Sequence, residues 1–276
     1  MKNSVATHYT HGQLLDRILG GVEAIGKTPA SVTVDDLAPV DEFHIGGRQA
    51  SEEFISQLEL SAENHVLDVG CGIGGTSRFV ANRFGCRVTG IDLTHEFVST
   101  GQSLCDWVGL TGRVKLTQGD ATAMPFSDER FDAAFMLHVG MNIANKAGLF
   151  AEVYRLIKPG AVFGVYDVMQ TSDEVLNYPV PWSSTPDTSA LATREQYIEA
   201  LGLAGFDLIK MRDRREFAAQ FFAETRKHME AAGGTPPLGV HIAMGESAAV
   251  KISNMVENIA SGRVSPVEII VCKANH

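Results

Sequence analysis

The sequence predicts an α/β protein with a doubly wound, mostly parallel sheet and helical cap insertions. Two observations carry that class. From about Asn64 to about Asp167, short apolar or β-branched runs alternate with stretches of helical spacing, the pattern of a parallel sheet covered on both faces. After Val168 the rhythm changes to a proline- and serine-rich stretch, then three more helices with a strand after the first, and a final apolar run.

Before the core, Gln13 to Ile25 and Gln49 to Leu58 read as helices. His65 to Val69 is a short apolar strand leading into glycines. Thr76 to Phe84 has helical spacing and stops at Gly85, a residue suited to a helix C-cap. Arg87 to Ile91 is β-rich and ends in Asp92, His95 to Val108 is a helix, and Val114 to Thr117 is a strand ending near Gly119-Asp120. Phe131 to Val139 is the fourth strand. Lys146 to Ile157 places Leu149, Phe150, Val153 and Leu156 on one helical face, and Pro159-Gly160 separates it from the strand Ala161 to Val168. Gln170 to Leu191 reads as a loop or lid. Glu195 to Leu203 is a helix, Phe206 to Arg212 a strand, Glu216 to Ala232 and Gly245 to Ile259 helices, and Pro266 to Lys273 the last strand. The expected division is an N-terminal helical cap over 1–63, a cofactor-binding core over 64–168, and a lid with closing elements over 169–276, including a helical insertion at about 216–262.

The chain has 276 residues, 45% hydrophobic and 20% charged, with a formal net charge of −10. That composition excludes a disordered chain. The acidic balance argues against sequence-independent nucleic-acid binding, which needs Lys and Arg in excess on one face. No run of about 18 apolar residues is present for a membrane span. The start, Met1 to His8, lacks the apolar stretch of a signal peptide. Cys71, Cys86, Cys105 and Cys272 form no C-x-x-C pair, which suits a reduced cytoplasm without disulfide framework or metal site. A monomer or homodimer acting on a small molecule is expected.

The strongest signal is Val66-Leu67-Asp68-Val69-Gly70-Cys71-Gly72-Ile73-Gly74-Gly75, a strand running into glycines that open a helix. Gly70, Gly72 and Gly75 satisfy the bare G-x-G-x-x-G pattern of a dinucleotide site, so an NAD-dependent oxidoreductase stays open. The acids favour another ligand. Asp68, two residues before the first glycine, is a poor neighbour for a pyrophosphate and a good one for an ammonium and a sulfonium. Asp92 follows Gly70 by 22 positions, at a strand end where a carboxylate accepts hydrogen bonds from ribose hydroxyls. Asp120, after the third strand, can accept from an adenine amino group. All three lie at carboxyl ends of strands, beside the expected crevice.

These residues resemble a known family. Asp68 to Gly75 looks like motif I of class I S-adenosylmethionine (SAM)-dependent methyltransferases. Gly90-Ile91-Asp92, Gly119-Asp120-Ala121, Phe131-Asp132 and Arg155-Leu156-Ile157-Lys158-Pro159-Gly160 are similar to its later landmarks, in order. The match is to the small-molecule branch, which includes sarcosine/dimethylglycine and phosphoethanolamine N-methyltransferases and quinone or tocopherol C-methyltransferases. Phe43 to Arg48 resembles the glycine-rich lead-in of the amine-methylating members. The resemblance covers about Asp41 to Val168 and implies a Rossmann-like, seven-stranded sheet. It implies that Asp68 and Gly70 contact the cofactor's amino-acid end, that Gly72 and Gly74 line it, and that Asp92 and Leu93 hold the ribose. It further implies that Asp120 and Ala121 hold the adenine and that Leu137 offers its carbonyl to the methionine ammonium. His44 and Arg48 are expected near the methionine carboxylate.

Methyl transfer from a sulfonium needs positioning and exclusion of water more than activation. The acceptor is expected to meet the segment after the fourth strand. There His138 is a candidate base or a hydrogen-bonded strand-end histidine, and Asn142 a candidate substrate hydrogen-bonder. Met141, Asp167 and Trp182 are further pocket candidates. Tyr9, Tyr178, Phe217, Phe221 and Phe222 are aromatic residues of the flanking segments; the helical spacing of the three phenylalanines favours a core stripe. Arg212, Arg214 and Arg215 read as a solvated strand end. A small amine is the first expectation for the acceptor, with C- or O-methylation of a quinone-like or natural-product ring as the alternative. Phosphoethanolamine enzymes carry an acid where this chain has His138, a departure that leaves the amine open. A protein that binds SAM without transferring methyl is a third class.

Overall fold

The structure, a computed structural model, describes residues 7–10 and 12–275. Met1 to Ala6, read above for a leader, lies outside them. Seven strands form one sheet: β1 (His65–Val69), β2 (Arg87–Asp92), β3 (Val114–Gln118), β4 (Phe131–Leu137), β5 (Ile157–Gln170), β6 (Phe206–Asp213) and β7 (Val264–Lys273), in the order β3-β2-β1-β4-β5-β7-β6. The pairs among β1 to β5 are parallel, and β7 runs antiparallel to both β5 and β6. Val66, Leu67 and Val69 of β1 are fully buried, as a central strand covered on both faces requires. The strand order reverses between β1 and β4, so the carboxyl ends there open a crevice.

The helices are α1 (Leu14–Ala24), α2 (Val34–Asp41), α3 (Gly47–Ile55), α4 (Gly75–Phe84), α5 (His95–Trp107), α6 (Lys146–Leu156), α7 (Arg194–Ala204), α8 (Arg215–Ala231), α9 (His241–Met244) and α10 (Ala248–Ala260). Capping boxes start two of them: Thr33 with Asp36 for α2, Thr193 with Gln196 for α7. Gly85 ends α4 in the left-handed region, as expected of a C-cap glycine.

Two apolar layers sandwich the sheet. Leu149, Phe150 and Val153 of α6 pack with Tyr197 and Leu201 of α7 on one side; Phe54 and Ile55 of α3 pack with Phe79 and Val80 of α4 on the other. A further cluster joins Ile45, Met141, Trp182 and Met255, with Tyr9, Phe221 and Phe222 against it.

The structure departs from the sequence reading at three places. β5 starts at Ile157, through the expected break at Pro159-Gly160, because a register shift between Phe131 and Ala133 absorbs the turn. α2 was not expected; Pro39 inside it obscured an eight-residue helix. Gly245, read as the start of a helix, instead separates α9 from α10 at a φ of 73°.

Candidate functional site

The turn after β1 is fixed by its own backbone. The Gly70 and Cys71 N–H groups both donate to the Ile91 carbonyl, at 2.8 and 3.0 Å. Gly70, Gly72 and Gly74 all have left-handed φ, at 73°, 54° and 76°. A Cβ on Gly70 would strike Val139, whereas one on Gly72 would project into open space. That space is a cavity of about 600 Å³. Gly74, expected to line the cofactor, does not line this cavity: it starts α4, and its missing Cβ makes room for Leu116.

The three acids lie at the cavity wall, with Leu93 and Ala121 beside them. Asp92 accepts from the Gly72 N–H at 2.9 Å and the Thr94 N–H at 2.8 Å, which aims the carboxylate across the turn. Burial raises its pKa above the usual range against those hydrogen bonds. Asp68 is 3% exposed and accepts from the Ser77 hydroxyl at 2.6 Å. Burial pushes it up to about 7, and the neighbouring Asp92 and Glu42 charges act in the same direction. Asp120 accepts from the N–H and hydroxyl of Thr122, at 2.9 and 2.8 Å.

The segment between α2 and α3 closes one side. Asp41 forms a fully buried ion pair with Arg78 of α4, at 2.5 Å, and Arg78 also donates to the Ile73 carbonyl at 2.7 Å. Burial raises Asp41 to about 6 despite the guanidinium. His44 lines the cavity with one ring nitrogen 3.1 Å from the Ser51 hydroxyl and 3.2 Å from the Gly47 carbonyl; burial lowers its pKa to about 4. Arg48, expected near the cofactor's carboxylate, does not line the cavity. Its Nε lies 2.8 Å from Glu42, and its guanidinium stacks 4.4 Å from the Phe79 ring centroid. The arginine is drawn to the buried Glu42, which itself faces the cavity.

At the end of β4, Leu137, His138, Met141 and Asn142 reach the cavity wall. His138 has a left-handed φ of 54°. Its Nδ1 lies 3.2 Å from the Tyr166 carbonyl, and its Nε2 accepts from the Ile45 N–H at 3.3 Å. Both ring nitrogens are thus engaged with main chain, and burial lowers the pKa to about 3. This geometry ties β4 to the N-terminal segment and does not offer the lone pair that a base needs. Asp167, expected in the pocket, does not line it: its carboxylate accepts from the Gly140 N–H and the Tyr197 hydroxyl, both at 2.7 Å, and so holds the turn after β4 from behind. Asn142 sits on that turn and accepts from the Tyr9 hydroxyl at 3.3 Å.

The far wall comes from the chain after Val168. Trp182 lines the cavity and donates its indole N–H to Ser189 at 2.9 Å. Phe221, Phe222, Thr225 and Met229 of α8 line it with Met244 of α9 and Ile252 and Met255 of α10. Phe217 behaves as a core residue, filling the space beside Gly46 and stacking under the Arg214 guanidinium at 3.8 Å. Phe221 and Phe222 are cavity residues, contrary to the core stripe. Arg214 is no solvated strand-end residue either: it is buried and pairs with Glu53 at 2.7 Å, while Arg212 pairs with Glu268 at 2.8 Å. The sequence reading missed Asp41, Glu42 and the three methionines. The helical face Phe221, Phe222, Thr225, Met229 was available as a signal, but spacing alone does not tell a core from a cavity.

Among the described residues, no Lys or Arg lines the cavity, no group of three or more His, Cys, Asp or Glu side chains could hold a metal ion, and no helix is long and apolar enough to cross a membrane.

Residues 66–160 match the family model of a methyltransferase domain. Over 106 residues, 38% of this chain and 28% of the relative, the sequence is 37% identical to a sterol 24-C-methyltransferase of Gibberella zeae. The chain spans about a third of the length of the curated relatives it matches. Among solved structures, a Haemonchus contortus phosphoethanolamine N-methyltransferase 2 in complex with phosphomonomethylethanolamine and S-adenosylhomocysteine superposes with a TM-score of 0.76 at 18% identity, covering 98% of this chain and 60% of that one. The [4+2]-cyclase SpnF superposes with a TM-score of 0.70 at 21% identity, covering 100% and 98%. These findings bear out the family resemblance read from the motifs: residues 66–160 match a methyltransferase domain, and the sheet is the Rossmann-like, seven-stranded one.

Proposed function

We propose that the protein transfers a methyl group from SAM to a small molecule, and that the acceptor is an uncharged, mainly apolar compound methylated at carbon or oxygen. One observation carries this reading. A single cavity of about 600 Å³, within the usual range of about 300–1,000 Å³ for ligand sites, joins buried acids at the ends of β1 to β3 to a wall of Met, Phe and Trp.

The residues present fit the cofactor. Asp92, already aimed across the glycine turn, has lone pairs left for ribose hydroxyls. Asp68, held near neutrality by burial, gains a reason to ionise when an ammonium approaches. Gly72 leaves the space a close ligand needs. Asp120 and Ala121 would face the adenine, and Leu137 would supply a carbonyl to the ammonium. A dinucleotide fits poorly, because its pyrophosphate would meet Asp68 at this turn with no Lys or Arg among the described residues lining the cavity. SAM supplies a methyl group already activated by its sulfonium. The chain's part is then to align the acceptor and exclude water, a task for Tyr9 of the N-terminal segment and for Trp182 and Phe221 of the chain after Val168, all of which line the cavity. His138 keeps the end of β4 in its left-handed conformation, so the turn carrying Met141 and Asn142 points inward.

The cavity reverses the order of the two acceptor readings. Its carboxylates are Asp41, Glu42, Asp68, Asp92 and Asp120; α8 to α10 contribute none. A cationic amine would therefore lack a counter-ion at the cap wall. The amine reading retains one favourable observation, the aromatic faces of Tyr9, Trp182 and Phe221, which attract cations. The test is methyl transfer from radiolabelled SAM to a panel of quinols, isoprenoid alcohols, sarcosine and phosphoethanolamine. Label in the neutral acceptors is expected. Label confined to the amines would restore the first expectation, and no label in any acceptor, with SAH bound, would favour a non-transferring SAM-binding protein.

A further inference from the structure

We infer that Tyr9 and Asn142 together form a hydrogen-bond-donating site for a neutral oxygen of the acceptor, so that the acceptor is an apolar molecule carrying a hydroxyl or carbonyl. This rests on the methyltransferase reading and names the substrate class for the same cavity.

The observations are geometric. Both side chains line the cavity, and the Tyr9 hydroxyl bonds Asn142 Oδ1 at 3.3 Å, across 133 positions of sequence. Each is held by neighbouring groups. The Asn142 N–H donates to the Val139 carbonyl at 2.9 Å, and Asp167 pins the same turn through the Gly140 N–H. Tyr9 packs edge-on against Phe43, at 6.4 Å between ring centroids, and beside Phe97 at 5.5 Å, while neighbouring His8 reaches the Pro181 carbonyl at 3.0 Å.

Donor arithmetic follows. A phenol carries one donor proton and a carboxamide two, and one of the three is used in the mutual hydrogen bond. Whichever way the amide is turned, two donors remain for the cavity. The phenol stays protonated, because burial and the Asp92 charge hold its pKa above the ordinary value. The surrounding wall is apolar: Met141, Trp182, Met255 and Phe222. A hydrocarbon would leave the donors unpaired, and a site built to hydrogen-bond an oxygen rejects the analogue lacking it. A phosphate or carboxylate would accept the hydrogen bonds but find no cation, since no described Lys or Arg lines the cavity.

Matched probes isolate the chemistry. 1-Octanol, 2-octanone, octane and octyl phosphate are titrated into the full chain saturated with S-adenosylhomocysteine (SAH), following tryptophan fluorescence, since Trp182 faces the cavity. The alcohol and ketone are expected to bind more tightly than the alkane and the phosphate. Asn142→Leu should weaken alcohol and ketone by about three- to tenfold, the span of one ordinary hydrogen bond, and leave octane unchanged. Asn142→Asp, which replaces the amide donors with a carboxylate, should weaken the ketone and strengthen octylammonium. SAH affinity measured on each variant reports whether the fold is intact. Tighter binding of octyl phosphate, an Asn142→Leu variant that keeps the alcohol–alkane gap, or the absence of any preference overturns the inference. Failure of wild-type protein to bind SAH overturns the methyltransferase reading instead.

Discussion

At the glycine-turn end of the cavity, short-range hydrogen bonds set the acids: the Gly72 and Thr94 N–H groups hold Asp92, the Ser77 hydroxyl holds Asp68, and the turn itself hangs from the Ile91 carbonyl. At the cap end, Phe221, Phe222, Met229, Met244 and Met255 line the cavity from three separate helices, Phe221, Phe222 and Met255 within one apolar cluster. The first end depends on short-range geometry, where a strand end, a left-handed glycine and a carboxylate must follow one another. The second depends on residues distant in sequence arriving together, and long flexible methionines can reshape it around different ligands. On the proposed function, the first end takes the cofactor and the second the acceptor.

The largest effect expected from breaking this contrast is at the ion pair that anchors the N-terminal segment to the glycine turn. Arg78→Ala leaves Asp41 buried without its partner and should cost about 3–5 kcal/mol, the usual penalty for an uncompensated buried charge. Urea unfolding measures it; a loss under 1 kcal/mol would show the pair to be dispensable.

The next effect separates the two ends directly. Asp92→Ala should weaken SAH binding by about 1.5–3 kcal/mol, the range for hydrogen bonds to a charged acceptor. Met255→Ala at the cap should leave SAH affinity within about threefold, under 0.7 kcal/mol by the usual conversion. Equal losses in the two variants would mean that the ends are not independent.

A smaller effect concerns pH. Burial raises Asp68 to about 7 in the ligand-free protein, so the carboxyl binds a proton below that pH. An ammonium ligand needs the carboxylate. SAH affinity should therefore fall as pH drops below 7, approaching about tenfold per unit for a single coupled proton. Asp68→Asn should bind more weakly at pH 8 and lose this slope. The smallest expected effect is at His138. With its pKa lowered to about 3, the ring stays neutral from pH 5 to 8, and His138→Asn should leave the pH profile of turnover unchanged in shape. A limb near 6.5 that vanishes in the variant would restore it as a base.

The same contrast explains what was legible in the sequence. The seven strands and the acids Asp68, Asp92 and Asp120 were readable because strand ends and glycine turns are local patterns. Gly74 was read as part of the lining because the family resemblance implies it; the packed Leu116 shows what it serves. Arg48 was placed at the site by the family resemblance and Asp167 by its place at a strand end, but Glu42 claims the first, and Tyr197 with the Gly140 N–H claims the second. These are tertiary partners, invisible to spacing. Asn142 was legible as a polar residue after β4, yet its pairing with Tyr9 spans most of the core. The cap was illegible for the same reason: Phe221 and Phe222 have helical spacing whether they face a core or a cavity.

The central claim, that the acid-lined turn holds a cationic adenosyl cofactor and not a dinucleotide, is tested most directly by calorimetric titration of the full chain at pH 8 with SAH and, separately, with NADH. Saturable SAH binding that weakens at pH 6, with no heat from NADH, is the predicted result. Saturable NADH binding without SAH binding would contradict it.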